Sequence, residues 1–257
     1  MLSRRWAYVV GGVVGAALAL CGAGSWWRTR NIGAVQRGYV AASAHGCFAC
    51  HGAGGVLGLE DPGQGIGGVP PFSADDVQAY ARNAEEIREW ILDGMPSRIR
   101  KQRASEPPED QSLLRMPAWR GQLSEGEVDA LVAYVKAVSD FEPPDNEPAR
   151  AGLETARRLG CVGCHGPEGR GNSPNPGSLK GYIPSWDGAD FPDLARDDGE
   201  IREWILDGSA KRLRENPLAR WFLQRQVVQM PAYRNKASES DVEGILAYIH
   251  WLRRERR

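Results

Sequence analysis

Apolar positions follow three patterns along this 257-residue chain. From Trp6 to Trp27 the sequence reads WAYVVGGVVGAALALCGAGSWW, without a single charge. Twenty-two helical residues at about 1.5 Å each span roughly 33 Å, enough for a bilayer core. Trp6 and the Trp26–Trp27 pair stand where interfacial aromatics belong. Arg4 and Arg5 on one side and Arg28 and Arg30 on the other leave the orientation unset by local charge. A transmembrane anchor over residues 1–33 is expected. The alternative is a cleaved signal peptide, with Ala17-Leu18-Ala19 as a weak processing site, or a lipid attachment site at Cys21. Gly11 and Gly15 form a small-residue pair of the kind that packs membrane helices.

Beyond residue 33 the pattern becomes amphipathic helices joined by loops rich in Gly and Pro. It then repeats at an offset of 114 residues. Glu86-Ile87-Arg88-Glu89-Trp90-Ile91-Leu92-Asp93-Gly94 recurs unchanged as residues 200–208. Met116-Pro117-Ala118-Trp119-Arg120 returns as Met230-Pro231-Ala232-Tyr233-Arg234, and Ala133-Tyr134 as Ala247-Tyr248. About a third of the aligned positions are identical, with no net insertion. The expected organisation is an anchor or signal peptide at 1–33, a first domain at 34–143, a stiff Pro-containing linker at 144–149 and a second domain at 150–257.

Each copy predicts an all-α domain. A first helix covers Val35–His45 and Ala149–Leu159. A second, over Asp75–Asp93 and Asp190–Asp207, carries Ile87, Trp90 and Ile91 at helical spacing and stops at Gly94 or Gly208. The last begins at Ser124 or Ser238, each followed by Glu in the first turn. No segment predicts a sheet.

Composition narrows the classes. The net charge of −1, from 32 Lys+Arg and 33 Asp+Glu, removes the basic excess of a nucleic-acid binder. A 42% hydrophobic, 25% charged chain is not disordered, and a mean hydropathy of −0.45 excludes a polytopic membrane protein. The near-zero charge is a cancellation. Residues 37–143 hold 10 basic and 16 acidic side chains, whereas 150–257 hold 18 and 15. Unlike fields suit docking of different partners.

Four of the five cysteines form the chemistry-bearing motif: Cys47-Phe48-Ala49-Cys50-His51 and Cys161-Val162-Gly163-Cys164-His165, each at the end of a predicted helix. Cys-x-x-Cys-His is the attachment signal of c-type haem, with two thioethers to the porphyrin and the adjacent His as proximal ligand to iron. A thioredoxin-like pair needs no His and expects a βαβ context, and a zinc site would have to draw ligands from both copies. Two covalently attached haem c groups are therefore the expected cofactors. The distal ligand must be shared by the copies. Met95 corresponds to Ser209, His45 to Leu159 and His250 to Lys136, which removes them. Met116 and Met230 survive, each 65 residues after its proximal His. The expected metal ligands are His51, Met116, His165 and Met230.

At this point the chain resembles the class I cytochrome c family in a tandem dihaem arrangement, through CFACHG and CVGCHG, the MPAW and MPAY segments, and the final LVAYVKAV and ILAYIHWL helices. The resemblance covers nearly everything after residue 34. It implies that Gly38 packs on Tyr134 and Gly152 on Tyr248, and that the Pro70 and Pro184 carbonyls orient the proximal imidazoles; plain loop-forming prolines are the alternative. Some twenty residues between Gly94 and Met116, and between Gly208 and Met230, exceed the compact family pattern. Their Arg98-Ile99-Arg100 and Arg212-Leu213-Arg214, or else Arg120 and Arg234, are candidate partners of the haem propionates, with a solvated basic face as the alternative. Trp90 and Trp204 read as core residues beside the haem.

Iron ligated by the chain on both sides has no position for substrate. The expected function is a membrane-anchored one-electron carrier between respiratory redox partners, with no small-molecule substrate and no catalytic residues. The resemblance places its haem domains in the periplasm, outside the inner membrane. The alternatives are a cytochrome subunit of a terminal oxidase, a quinol-oxidising complex or an alcohol dehydrogenase, and an enzyme such as a dihaem peroxidase or a thiosulfate-oxidising cytochrome.

Overall fold

A computed structural model of the chain describes residues 14–15, 32–60, 68–105 and 114–255. Most of the apolar span from Trp6 to Trp27, including Cys21, lies outside the described residues. Among the described residues, no helix is long and apolar enough to cross a membrane. Gly33–Arg257 form one compact unit, separate from Met1–Ile32.

The first half of that unit contains α1 (Ala34–Ala44), α2 (Phe48–His51), α3 (Ala74–Tyr80), α4 (Ala84–Asp93), α5 (Ser97–Ala104) and α6 (Glu125–Val138). The second contains α7 (Glu147–Arg158), α8 (Cys161–His165), α9 (Phe191–Leu194), α10 (Asp198–Asp207), α11 (Lys211–Glu215), α12 (Pro217–Arg225) and α13 (Glu239–Glu255). A single turn of 3₁₀ helix follows each Cys-containing helix, at Ala53–Gly55 and Pro167–Gly169. The fold is mostly helical, as expected.

Two expectations need correcting. A small antiparallel pair, β1 (Leu59–Glu60) with β2 (Gly68–Val69), forms in the first half, and a single bridge joins Pro174 to Tyr182 in the second. The helix expected over Asp75–Asp93, and its counterpart over Asp190–Asp207, is broken in two. Ala81 (φ −133°) and Ala195 (φ −137°) are extended, and the chain restarts at Asn83 and Asp197, whose side chains accept from the Glu86 and Glu200 amides. A capping side chain that offers the backbone a helix start also ends the preceding turn. Gly94 and Gly208 close α4 and α10 in the left-handed region, at φ 72° and 76°. Ser124 opens α6 with a full capping box to Glu127.

The first and last helices of each half cross at a glycine. A Cβ on Gly38 would stand 2.0 Å from the Ala130 carbonyl oxygen, and one on Gly152 would stand 1.9 Å from that of Gly244. Only glycine allows backbones this close. Around the crossings lie buried Val35, Ala42, Leu131 and Tyr134 in one half and Ala149, Leu153, Ile245 and Tyr248 in the other. The α4 and α10 helices tie to this pair through a repeated ionic fork. Arg88 meets Glu125 and Asp129, and Arg202 meets Glu239 and Glu243.

The two halves meet end to side. The Gly33 amide donates to the Asn172 side-chain oxygen at 3.3 Å, and the Asn172 amide donates to the Gln36 side chain at 2.9 Å. Arg157 of α7 pairs with Asp140, just beyond α6, and Trp251 of α13 donates to Asp145 at 2.8 Å.

The insertion arginines pair with carboxylates of the chain itself. Arg98 forks onto Glu86 at 2.8 and 2.9 Å, and Arg212 onto Glu200 at 2.7 and 2.9 Å. Arg120 and Arg234 bind Asp93 and Asp207. These four side chains brace the insertion and the methionine segment against α4 and α10. Their carboxylate partners, which sequence reading had not named, account for them without a propionate.

Gly38→Ala or Gly152→Ala is expected to destabilise the unit by about 1–3 kcal/mol or more in thermal unfolding, the scale of forced overpacking. Gly126→Ala, exposed in α6 with nothing within 4 Å of a new Cβ, is expected to raise stability by up to about 1 kcal/mol. Equal loss in all three variants would remove the close-crossing argument.

The Arg98 and Arg212 forks hold the Glu86 and Glu200 carboxyls down at about 2, from an ordinary 4.5. Depressed acids stabilise the fold above their unfolded value and lose that contribution as pH falls through the folded one. Melting temperature is therefore expected to drop between about pH 4.5 and 2, and Glu86→Gln with Glu200→Gln to flatten that drop. An unchanged acid profile in the double variant would contradict it.

Candidate functional site

The Cys-x-x-Cys-His segments fold as one short helix in each half. Steric demand at its ends is met by glycine, with Gly46 and Gly160 before it and Gly52 and Gly166 after it, all at positive φ. Cys47 and Cys161 are half-buried, while Cys50 and Cys164 are exposed. The spacing puts both thiols and the imidazole on one helical turn.

Each imidazole is fixed from two directions. The His51 Nδ1–H donates to the Pro70 carbonyl at 2.9 Å, and the His165 Nδ1–H to the Pro184 carbonyl at 3.1 Å. With the proton on Nδ1, Nε2 is the nitrogen that carries a lone pair. Phe72 packs on the His51 ring at 4.5 Å between centroids, and Trp186 on the His165 ring at 5.1 Å. Burial pushes both imidazoles below their ordinary pKa, against the smaller opposing effect of the proline carbonyl. Neutral imidazole is the metal-ligating form.

The turn after each histidine is tied to the last helix. Tyr134 donates to the Gly54 carbonyl and Tyr248 to the Glu168 carbonyl, each at 2.9 Å. The glycine crossing thus sets the depth of α6 and α13, and their tyrosines set the position of the histidine loop.

The methionine segments dock on the end of α4 and α10. Trp119 and Arg120 amides donate to the Ile91 and Leu92 carbonyls at 3.2 and 3.0 Å; Tyr233 and Arg234 amides do the same at Ile205 and Leu206, at 3.0 and 3.2 Å. Helix ends leave carbonyls without intrahelical donors, and this segment supplies them. A Cβ on Gly94 or Gly208 would come within 2.5 Å of the Met116 or Met230 carbonyl oxygen, so the left-handed stop also makes room for the docked strand. Trp90 and Trp204 donate from their indoles to the Tyr80 and Leu194 carbonyls at 3.1 and 2.9 Å and line the same cores.

In the second half these elements enclose one open, mostly apolar cleft. Cys161, Cys164, His165, Pro184, Trp204 and Met230 all line it, with Ile205, Ile245 and Ile249. In the first half Cys47, Phe72, Trp90 and Met116 pack around the equivalent core of Ile87, Ile91 and Leu131. A large flat apolar group with a metal at its centre fits such a cleft: thiols and an imidazole lie on one element, and a thioether lies on another. His45 and His250 turn elsewhere, to Glu127 and Asp198. Among the described residues, no group of three or more His, Cys, Asp or Glu side chains is placed to hold a bare metal ion.

Sequence reasoning missed a polar wall of the second cleft. Lys180 and Tyr182 line it, and both bind the buried Asp190, at 2.9 and 2.7 Å. Asn175 forms a two-way bond with the backbone of Val228, at 2.9 Å each way, and so fastens the approach to Met230. At the 114-residue offset these positions hold Ile66, Gly68 and Asp61 in the first half. The signal available was a departure from the repeat, not a motif.

Comparison with known proteins follows the same division. Residues 149–253 match the family model described as Cytochrome c. Residues 33–135 match the one described as Cytochrome C oxidase, cbb3-type, subunit III. A curated relative, the Cbb3-type cytochrome c oxidase subunit FixP of Azorhizobium caulinodans, is 29% identical over 131 residues, which is 51% of this chain. The aligned part spans 38% of the relative's own length. Residues 33–135 and 149–253 thus each match a cytochrome model and each carry their own Cys-x-x-Cys-His helix, the arrangement of a cytochrome c domain, which binds covalently attached haem c.

Proposed function

We propose that the chain is a tandem dihaem cytochrome that carries single electrons as a subunit of a cbb3-type terminal oxidase, held at the inner membrane by residues 6–27 with its domains on the periplasmic side. The observation that carries the reading is the repeated geometry: a histidine fixed by a proline carbonyl on one element, and a methionine segment fixed by α4 or α10 on another. Cys47 and Cys50 would hold the first haem and Cys161 and Cys164 the second. His51 and His165 would be the proximal ligands, Met116 and Met230 the distal ones, and the Pro70 and Pro184 carbonyls would orient the imidazoles.

Bound haem supplies a one-electron Fe(III)/Fe(II) couple. Everything else belongs to the chain. The Pro70 and Pro184 carbonyls keep the proton on Nδ1 and raise the basicity of Nε2. The backbone bonds from the methionine segments to α4 and α10 hold the thioethers in place through a redox cycle, so little structure has to move. A thioether ligand favours the ferrous state and raises the potential relative to a second histidine. The apolar walls exclude water and keep reorganisation around the site small. With His51 and Met116 holding one iron and His165 and Met230 the other, the chain would leave no position for substrate and would act as a carrier without a catalytic residue of its own.

The oxidase-subunit reading is favoured over a freestanding carrier because both the subunit III model and the FixP relative carry oxidase names. A net acidic first domain and a net basic second one give the chain two unlike faces for its electron donor and acceptor.

Two haems per chain are expected by pyridine haemochrome analysis. The pair Cys161→Ala and Cys164→Ala should leave one. Met116→His and Met230→His should each lower one midpoint potential and remove half of the methionine–iron charge-transfer band. Solubilised in mild detergent, the native chain should co-purify with a haem–copper oxidase. A single haem per chain, or a charge-transfer band untouched by both methionine variants, would overturn the site assignment; purification as a lone cytochrome would overturn the oxidase partnership.

A further inference from the structure

Among the described residues other than glycine, those with left-handed backbones are Asp140 (φ 50°) and Glu168 (φ 53°). Both are acids, and both lie where the two domains meet. The position of Glu168 in the repeat is held by Gly54 in the first domain, at φ 63°. Glycine is the residue that this turn accepts without strain, and the second domain has a carboxylate there instead.

That carboxylate is sealed in. The Glu168 side chain is 6% exposed, although it sits in a loop three residues beyond His165. Its neighbours come from every element around it. Arg170, on its own loop, stands 3.5 Å away but lies closer to Asp187, to which it donates at 3.1 Å. Across the junction Asp140, at the end of α6, bears on it with like charge, and Arg157 of α7 is held by Asp140. From α13, the Tyr248 hydroxyl donates to the Glu168 backbone carbonyl, and Arg253 donates to the carbonyls of Trp186 and Gly188. Each arginine that acts on the Glu168 carboxylate thus has a carboxylate partner nearer to it. Burial is the largest influence on the group and pushes it up to about 7; the Arg170 charge opposes this and Asp140 adds to it.

The loop also links this acid to the redox site. Gly169, next in the chain, accepts from the Trp186 amide at 2.8 Å, and the Trp186 ring packs on His165. An electron added to this domain makes the surroundings of a buried carboxyl more negative and so increases its affinity for a proton. In the first domain, Gly54, Val56 and Ser73 stand where Glu168, Arg170 and Asp187 stand here, and no acid occupies the turn.

We propose that Glu168 is a proton-binding site of the second domain that takes up a proton as its haem is reduced and releases it on oxidation. The inference rests on the reading of Cys161, Cys164 and His165 as a haem site. In the coupled step a one-electron donor converts Fe(III) to Fe(II), and one proton from solvent converts the carboxylate to the acid. Oxidation reverses both.

The test is a spectroscopic redox titration of the full haem-loaded chain in detergent, at pH values from about one unit below to one unit above 7. One of the two potentials is expected to fall as pH rises, by up to about 59 mV for each tenfold change in proton concentration, and the other to stay flat. Glu168→Gln, which keeps the shape, and Glu168→Gly, which supplies the residue the first domain uses, should both flatten the dependent one. Asp140→Asn should move the fall to lower pH. Two pH-independent potentials, or a slope that survives in both Glu168 variants, would overturn the proposal. Loss of the second haem from the wild-type chain would show in the haem count instead, and would sink the haem reading beneath it.

Discussion

The approach of two backbones at a glycine governs each half of this molecule. At Gly38 and Gly152 the first helix lies so close to the last that any side chain would overlap a carbonyl oxygen. That contact fixes the height of Tyr134 and Tyr248, whose hydroxyls hold the turns behind the histidines. It also fixes the faces on which α4 and α10 pack, through the Arg88 and Arg202 forks. The Cys-x-x-Cys-His helix has a single turn and few contacts of its own, so its position is inherited from the crossing.

A second constraint brings the methionine segment in. Helices α4 and α10 end in a left-handed glycine, and the carbonyls they leave behind are taken by the backbone of the methionine segment. This explains why EIREWILDG and MPA-aromatic-R are the best-kept parts of the repeat: each is half of one hydrogen-bonded joint. The Arg120 and Arg234 side chains complete that joint on Asp93 and Asp207. The intervening insertion is then free to differ: among the described residues it holds α5 in one half and α11 with α12 in the other.

The halves share a scaffold and diverge in their polar interiors. The second buries Glu168, Asn172, Asn175, Lys180, Asp187 and Asp190 around its histidine loop; at the repeat offset the first has Gly54, Gly58, Asp61, Ile66, Ser73 and Asp76. Burying ionisable groups is costly unless they are paired, and most of these have partners within the same loop. Such a shell changes the dielectric and the charge near the second site. Two sites built to the same plan can thereby differ in potential and in response to pH.

Much of this was legible in the sequence. The repeat, the cysteine motifs, the surviving methionines and the helix caps at Ser124 and Gly94 all depend on residues near in the chain or on the fixed 114-residue offset, and local chemistry decides them. The break between α3 and α4 was missed because Asn83 and Asp197 read equally well inside a polar helix face; the competing cap was visible only once the chain was seen to turn. The roles of Arg98 and Arg212 were left open since their partners, Glu86 and Glu200, lie twelve residues back across a turn of unknown angle. The junction acids were invisible for a deeper reason. The burial of Glu168 and the nearness of Asp140 to it arise only when the two halves pack, and no periodicity or motif encodes what separate elements bring together.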